Sequence, residues 1–101
     1  MAMTANGLTK LLEELGELAQ VAAKKQAYFH TDAHPDGGGS LKERMEHEMG
    51  DVSAAMRFVQ QQFGLDRDAI EQRARAKLAL FEQWHADAAN GADAYTARAA
   101  R

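Results

Sequence analysis

Two short acidic clusters are the residues of this chain best suited to chemistry. The first is Glu13, Glu14 and Glu17 in the run EELGE, and the second is Glu48 and Asp51 in EMGD. Side chains three or four residues apart share one face of an α-helix, so each cluster points its carboxylates in one direction. Carboxylates held together repel one another, and the cations that suit an all-oxygen site are Mg²⁺ and Mn²⁺. The spacing therefore predicts a divalent-cation site, provided that the two clusters meet.

A simpler interpretation is that these acids form a solvated helix face and bind nothing. Lys77 argues against it, because this lysine stands among apolar residues of a predicted helix and needs an anion if it is buried. It either reaches the surface or pairs with one structural Glu. Alternatively, it faces the acidic clusters and meets a phosphate group there.

Three long helices are the elements that must position these residues. Ala, Leu, Glu, Gln, Lys and Arg dominate the composition, and these residues lose little on entering a helix. The apolar spacing predicts helices over about 4–28, 40–63 and 66–87, a loop over 29–39 and a C-terminal tail or short segment over 88–101. The expected fold is an all-α antiparallel bundle, one domain spanning 1–101, completed by oligomerisation.

Each predicted helix has an apolar stripe expected to face the core. On a helical wheel the stripes are Leu8, Leu11, Leu12, Leu15, Leu18, Ala19 and Ala22; Leu41, Met45, Met49, Val52, Met56, Val59 and Phe63; and Ile70, Ala74, Leu78 and Phe81 with Trp84 or His85. Glu48 lies close to its stripe and is expected to be at least half buried, and Glu14 lies at the edge of the first stripe. Val21 shares the acidic side of the first helix, so that helix is expected to be covered on two sides, as in an oligomer.

Local signals predict where the second and third helices begin. Ser40 and Glu43 match a capping box, in which the serine hydroxyl accepts from a backbone N–H three residues on. Gly64 is expected to end the second helix, and Asp66 to cap the third. The loop before Ser40 contains Pro35 and several glycines, and it is either a mobile lid or a plain linker.

Composition excludes several classes of function. The chain has 101 residues, no cysteine and a formal net charge of −3. Without cysteine there is no disulfide framework and no thiolate chemistry, which favours the cytoplasm. The charge disfavours nucleic-acid polymers as partners. No apolar run reaches the roughly 20 residues of a membrane span, and no signal peptide is expected.

The two acidic motifs together resemble those of the MazG-like all-α nucleoside triphosphate pyrophosphatases, relatives of the dimeric dUTPases and dCTP pyrophosphatases. The resemblance covers roughly residues 8 to 84. It implies that Glu13 or Glu14, Glu17, Glu48 and Asp51 bind Mg²⁺, with Mn²⁺ as a possible substitute. The best-matched ligands are Glu14, Glu17, Glu48 and Asp51. The implied reaction is cleavage of a (d)NTP between its α- and β-phosphates to give a monophosphate and pyrophosphate, as house-cleaning of the nucleotide pool.

The resemblance also implies roles for residues outside the ligand set. Glu14 or Glu17 would orient or deprotonate the attacking water, and Lys77 would stabilise the leaving pyrophosphate. Lys77 and Arg73 would contact phosphates, and Trp84 either stacks on the base or belongs to the core. The chain departs from the family where Phe81 and Trp84 replace the basic and amide residues that commonly follow the lysine.

Two other classes of function stay open at this point. One is a non-catalytic helical interaction module whose acidic groove binds a basic peptide or another helix. The other is a structural subunit of a larger assembly, docked through the tail after Ala88. The enzyme interpretation instead expects a closed homodimer or homotetramer.

Overall fold

The structure, a computed structural model, describes residues 6–33 and 39–91 and is all-helical. Its three helices are α1 (Asn6–Ala27), α2 (Leu41–Phe63) and α3 (Arg67–Ala89). Each helix begins and ends within two residues of its predicted bounds. The prediction of an all-α fold with three long helices is therefore confirmed. Two predicted features lie partly outside the described residues: the loop over 29–39, through its residues 34–38, and the tail over 88–101, through its residues 92–101.

The chain divides into two compact units, Met1–Leu65 and Asp66–Arg101. The first unit holds α1 and α2, which pack against each other. The second holds α3, in which no described residue is buried. Within the described ranges, no helix has the sustained apolar character that crossing a bilayer requires. A single domain over the whole chain stays a prediction.

A regular seam of side chains joins α1 to α2. The most buried positions recur at alternating intervals of four and three residues, which is the heptad spacing of a coiled-coil interface. In α1 they are Gly7, Leu11, Glu14, Leu18 and Val21, and in α2 they are Leu41, Met45, Glu48, Val52, Ala55 and Val59. The start of α1 lies against the end of α2, because a Cβ added at Gly7 would lie 3.4 Å from Cγ2 of Val59 and would overlap the Gln62 side chain.

The predicted apolar stripes of α1 and α2 are only partly correct. Leu8, Leu12 and Leu15 were expected to be inward, but they are exposed, Leu12 by 71%. Val21, expected on the acidic side of α1, is only 3% exposed. In α2 the exposed members are Met49, Met56 and Phe63. The helical wheel predicts that the most apolar arc of each helix faces the core. The α1–α2 seam instead follows a neighbouring arc, which contains Glu14 in α1 and Glu48 in α2.

The third stripe also differs from the structure. Leu78 and Phe81 are exposed, as are Ala74 and His85, while Ile70 and Trp84 are half-buried. α3 therefore presents much of its apolar surface.

Capping explains where the helices begin and end. The Ser40 hydroxyl accepts from the Glu43 N–H at 2.9 Å, as the capping-box pattern predicts. Gly64 ends α2 with a φ of 62°, a left-handed conformation that suits glycine. Asp66 caps α3 by accepting from the N–H groups of Asp68 and Ala69.

A contact that the sequence did not reveal fixes the start of α2. The Asp32 carboxylate accepts from the Lys42 N–H at 2.7 Å, and the Asp32 carbonyl accepts from the Leu41 N–H at 2.6 Å. Ala33 and Ser40 form an isolated antiparallel β-bridge beside it. The ends of the loop are thus held together next to the fully buried Leu41.

Candidate metal centre

Two of the predicted ligands, Glu14 and Glu48, occupy positions of the α1–α2 seam that would normally be apolar. Glu48 is 5% exposed, which agrees with the sequence-based expectation that it is at least half buried. Among the described residues its carboxylate has neither a hydrogen bond nor an ion pair. A carboxylate on a largely buried side chain that has no protein partner depends on the solvent that still reaches its oxygens.

The α1 cluster brings Glu13, Glu14 and Glu17 together. One carboxylate oxygen from each lies within 4.8 Å of the others. Glu13 already has a cation, since the Lys10 ammonium donates to its Oε1 at 2.9 Å. This hydrogen bond and the charge on Glu13 raise the pKa of Lys10. Glu14 and Glu17 are the two members without such a pair in the described part of the chain.

The α2 cluster contains Glu48, Asp51 and a residue that the sequence did not nominate as a ligand, His47. Their possible ligand atoms also lie within 4.8 Å of one another. His47 Nε2 is 3.4 Å from Asp51 Oδ2 across one turn of α2. The cluster therefore offers two carboxylates and an imidazole.

The two clusters share one electrostatic environment. The pKa of Glu14 is raised, first by its partial burial and then by the negative charges of Glu17, Asp51, Glu13 and Glu48. Two of those charges belong to α2, so the carboxylates of the two helices influence one another directly. A divalent cation would relieve this repulsion more completely than any single side chain of the cluster.

Two grooves flank the acids. One, of about 270 Å³, joins Lys10 and Glu14 of α1 to Asp51 and the ring of Phe58, with Ala54 and Ala55 between them. The other, of about 480 Å³, is lined by Glu17, Glu43, Arg44, His47 and Glu48. The first groove places the aromatic side chain of Phe58 and the ammonium group of Lys10 beside the carboxylates.

The remaining predicted site residues belong to the second unit. Lys77 is half-buried, and its ammonium lies 5.8 Å from the centroid of the Phe81 ring, a cation–π arrangement. The Phe81 and Trp84 rings are 5.2 Å apart between centroids. Arg73 is exposed. The roles of Lys77, Arg73 and Trp84 stay predictions.

Lys10 was not among the predicted site residues, and His47 was expected on the Asp51 side of α2, where it could line a base pocket, and not as a ligand. The sequence contained a signal for Lys10, because it stands three residues before Glu13 and four before Glu14 and so lies on the same face of the helix. His47 stands one turn before Asp51, a spacing that on a helix brings an imidazole to a carboxylate.

Comparison with protein-family models, curated proteins and solved structures finds no match for this chain.

Proposed function

We propose that this chain is a Mg²⁺- or Mn²⁺-dependent nucleoside triphosphate pyrophosphohydrolase of the MazG-like kind. It would cleave a (d)NTP to the (d)NMP and pyrophosphate. The observation that carries the proposal is the pair of carboxylates in the α1–α2 seam. The Glu48 side chain is buried without a partner among the described residues, and the charge of Glu48 contributes to the raised pKa of Glu14. A cation bound between the two helices would stabilise a seam of this kind by neutralising its carboxylates.

The donor set fits a hard divalent cation. Glu14, Glu17, Glu48 and Asp51 supply oxygens from two helices, which we infer to run antiparallel, and Mg²⁺ commonly takes a few carboxylates together with water and phosphate oxygens. Glu13 plays a lesser part, because Lys10 neutralises it. Bound there, the ion would supply charge neutralisation for the polyphosphate and orient it for in-line attack by water.

The chain's own residues divide the remaining work. Glu14 or Glu17 would hold and deprotonate the attacking water, as the family resemblance implies. Phe58 would stack on the base, and Lys10, which lines the same groove, would contact a phosphate or sugar oxygen. Lys77 and Arg73 keep the phosphate contacts, and Trp84 the base contact, that the family resemblance implies.

We further propose that the active species is a closed homodimer or homotetramer. Leu8, Leu12 and Leu15 form an exposed apolar row on α1, and Met49, Met56 and Phe63 form another on α2. Rows of this kind, with so few apolar residues buried, are typical of chains that complete their core with a second copy.

The decisive experiment is a pyrophosphate-release assay with a panel of NTPs and dNTPs, in Mg²⁺ and separately in Mn²⁺. Release is expected for at least one nucleotide. Glu48→Gln and Asp51→Asn should each lower the rate by about a hundredfold or more, because each removes a ligand charge. Glu46→Gln is the matched control, since Glu46 is an exposed acid on the same helix.

The control variant should keep the full rate and all three variants should keep their helical circular dichroism. Absence of pyrophosphate with every nucleotide and both cations contradicts the proposal. In that case the acidic groove would serve a non-catalytic interaction, and calorimetry with a basic peptide would detect it.

A further inference from the structure

We propose that His47 is a ligand of the cation bound at the carboxylates, and that its nitrogen makes the site prefer Mn²⁺ over Mg²⁺. This inference rests on the metal centre of the proposed function. It goes beyond that function by adding a residue to the ligand set and by naming the cation.

The first argument is the position of the imidazole. His47 Nε2 lies 3.4 Å from Asp51 Oδ2, and the possible ligand atoms of His47, Glu48 and Asp51 lie within 4.8 Å of one another. Two ligands about 2.1 Å from one octahedral ion and at right angles to each other are about 3.0 Å apart. The observed spacing is close to this value, so a small side-chain rotation brings both atoms onto one ion.

The second argument is that one carboxylate of the cluster stands on a largely buried side chain and has no protein partner. Glu48 is 5% exposed, lines the same groove as His47, and has no hydrogen-bond or ion-pair partner within the described ranges. Arg44 also lines that groove but forms no ion pair with Glu48. The most buried carboxylate of this groove is therefore paired with no cation of the described residues.

The third argument is ligand chemistry. Mg²⁺ binds oxygen and retains water, whereas Mn²⁺ and the later divalent metals also accept a neutral imidazole nitrogen. The His47 side chain is 72% exposed, so turning the ring towards an ion breaks no packing. A site with one imidazole among carboxylates should thus bind Mn²⁺ more tightly than an all-carboxylate site does.

The test uses the full-length protein freed of metal by chelation, without nucleotide. Calorimetric titrations with MnCl₂ and MgCl₂ compare the wild type with His47→Ala, and His85→Ala serves as control because His85 is an exposed histidine on α3. His47→Ala should weaken Mn²⁺ binding about tenfold and leave Mg²⁺ binding unchanged. In NMR spectra, Mn²⁺ at a small fraction of the protein concentration should broaden the ring signals of His47 before those of His85.

Other outcomes overturn the inference. If His47 only pairs with Asp51, it competes with the ion, and His47→Ala will bind both cations more tightly. Equal weakening of both cations, no change, or no saturable Mn²⁺ binding also overturns it. The two proposals fail separately. If Mn²⁺ binding depends on His47 but no pyrophosphate is released, only the enzymatic function is contradicted. If pyrophosphate is released at the same rate with and without His47 in both cations, only the role of His47 as a ligand is contradicted.

Discussion

Glu48 presents a physical conflict, because its carboxylate lies in a helix seam and no cation of the described residues pairs with it. Its position was accessible from sequence, because the helical wheel placed Glu48 near the apolar stripe of α2. The lack of a partner for Glu48 could not be predicted from sequence, because it depends on where Arg44, Lys10 and the other cations point after folding. Such details of side-chain placement are settled by packing and not by periodicity.

The conflict predicts an unusual sign for a ligand substitution. Glu48→Gln should stabilise the metal-free protein by about 1 kcal/mol, because the amide keeps the shape and removes one negative charge from the cluster of mutually repelling carboxylates. Saturating Mn²⁺ or Mg²⁺ should raise the melting temperature of the wild type and not that of the variant. Chemical denaturation with and without chelator measures both effects.

Glu46→Gln is again the control, and its stability should change by less than about 0.5 kcal/mol because Glu46 is exposed. Destabilisation of the metal-free protein by Glu48→Gln would mean that Glu48 has a partner in solution.

Glu14 predicts a pH dependence of stability in the metal-free protein. Its pKa is raised above the ordinary value of 4.5, first by partial burial and then by the charges of Glu17, Asp51, Glu13 and Glu48. The folded state therefore holds the Glu14 proton more tightly than the unfolded state does. The resulting stabilisation is fully present below pH 4.5 and is lost as pH rises through the folded-state pKa.

The variant Glu14→Gln isolates this effect, because the glutamine side chain does not titrate. The variant should be more stable than the wild type near neutral pH, and the difference should shrink as the pH falls towards 4.5. Urea denaturation in chelator at several pH values measures it. A difference that is constant with pH would show that the two clusters do not influence Glu14.

At the scale of elements, sequence predicts helices well and their packing faces less well. Ser40, Gly64 and Asp66 gave correct helix ends because capping is local chemistry. α1 was harder, since its leucines fall on two neighbouring arcs. Leu11 and Leu18 belong to the seam, whereas Leu12 lies on the exposed row. Hydrophobicity alone cannot rank two such arcs when the seam itself contains glutamates.

The cap of α2 gives a direct test at this scale. Ser40→Ala removes the acceptor of the Glu43 N–H and should lower the free energy of unfolding by about 1 kcal/mol. Ser53→Ala is the matched control, because Ser53 is an exposed residue in the middle of the same helix. There alanine is the better helix former, so stability should stay the same or rise slightly. Equal effects of the two changes in thermal denaturation would contradict the capping role.

At the scale of the whole molecule, the balance of buried and exposed apolar residues predicts self-association. In the described residues the buried apolar side chains are Val21, Leu41, Val52, Ala55 and Val59, while many larger ones are exposed. Light scattering should therefore give a mass of at least two 11.1-kDa chains. Leu12→Glu, which places a charge on the α1 row, should weaken the association. A mass of 11.1 kDa at every concentration would contradict this prediction.

The Asp32 contacts with Leu41 and Lys42 have a practical consequence for labelling. Together with the bridge between Ala33 and Ser40, they clamp the chain on both sides of 34–38. A peptide epitope grafted between these anchors lengthens only the connection between two fixed points, which costs about 0.6 kcal/mol for each doubling of the length of that connection. This segment is therefore a suitable place to attach a reporter without displacing the acidic helices.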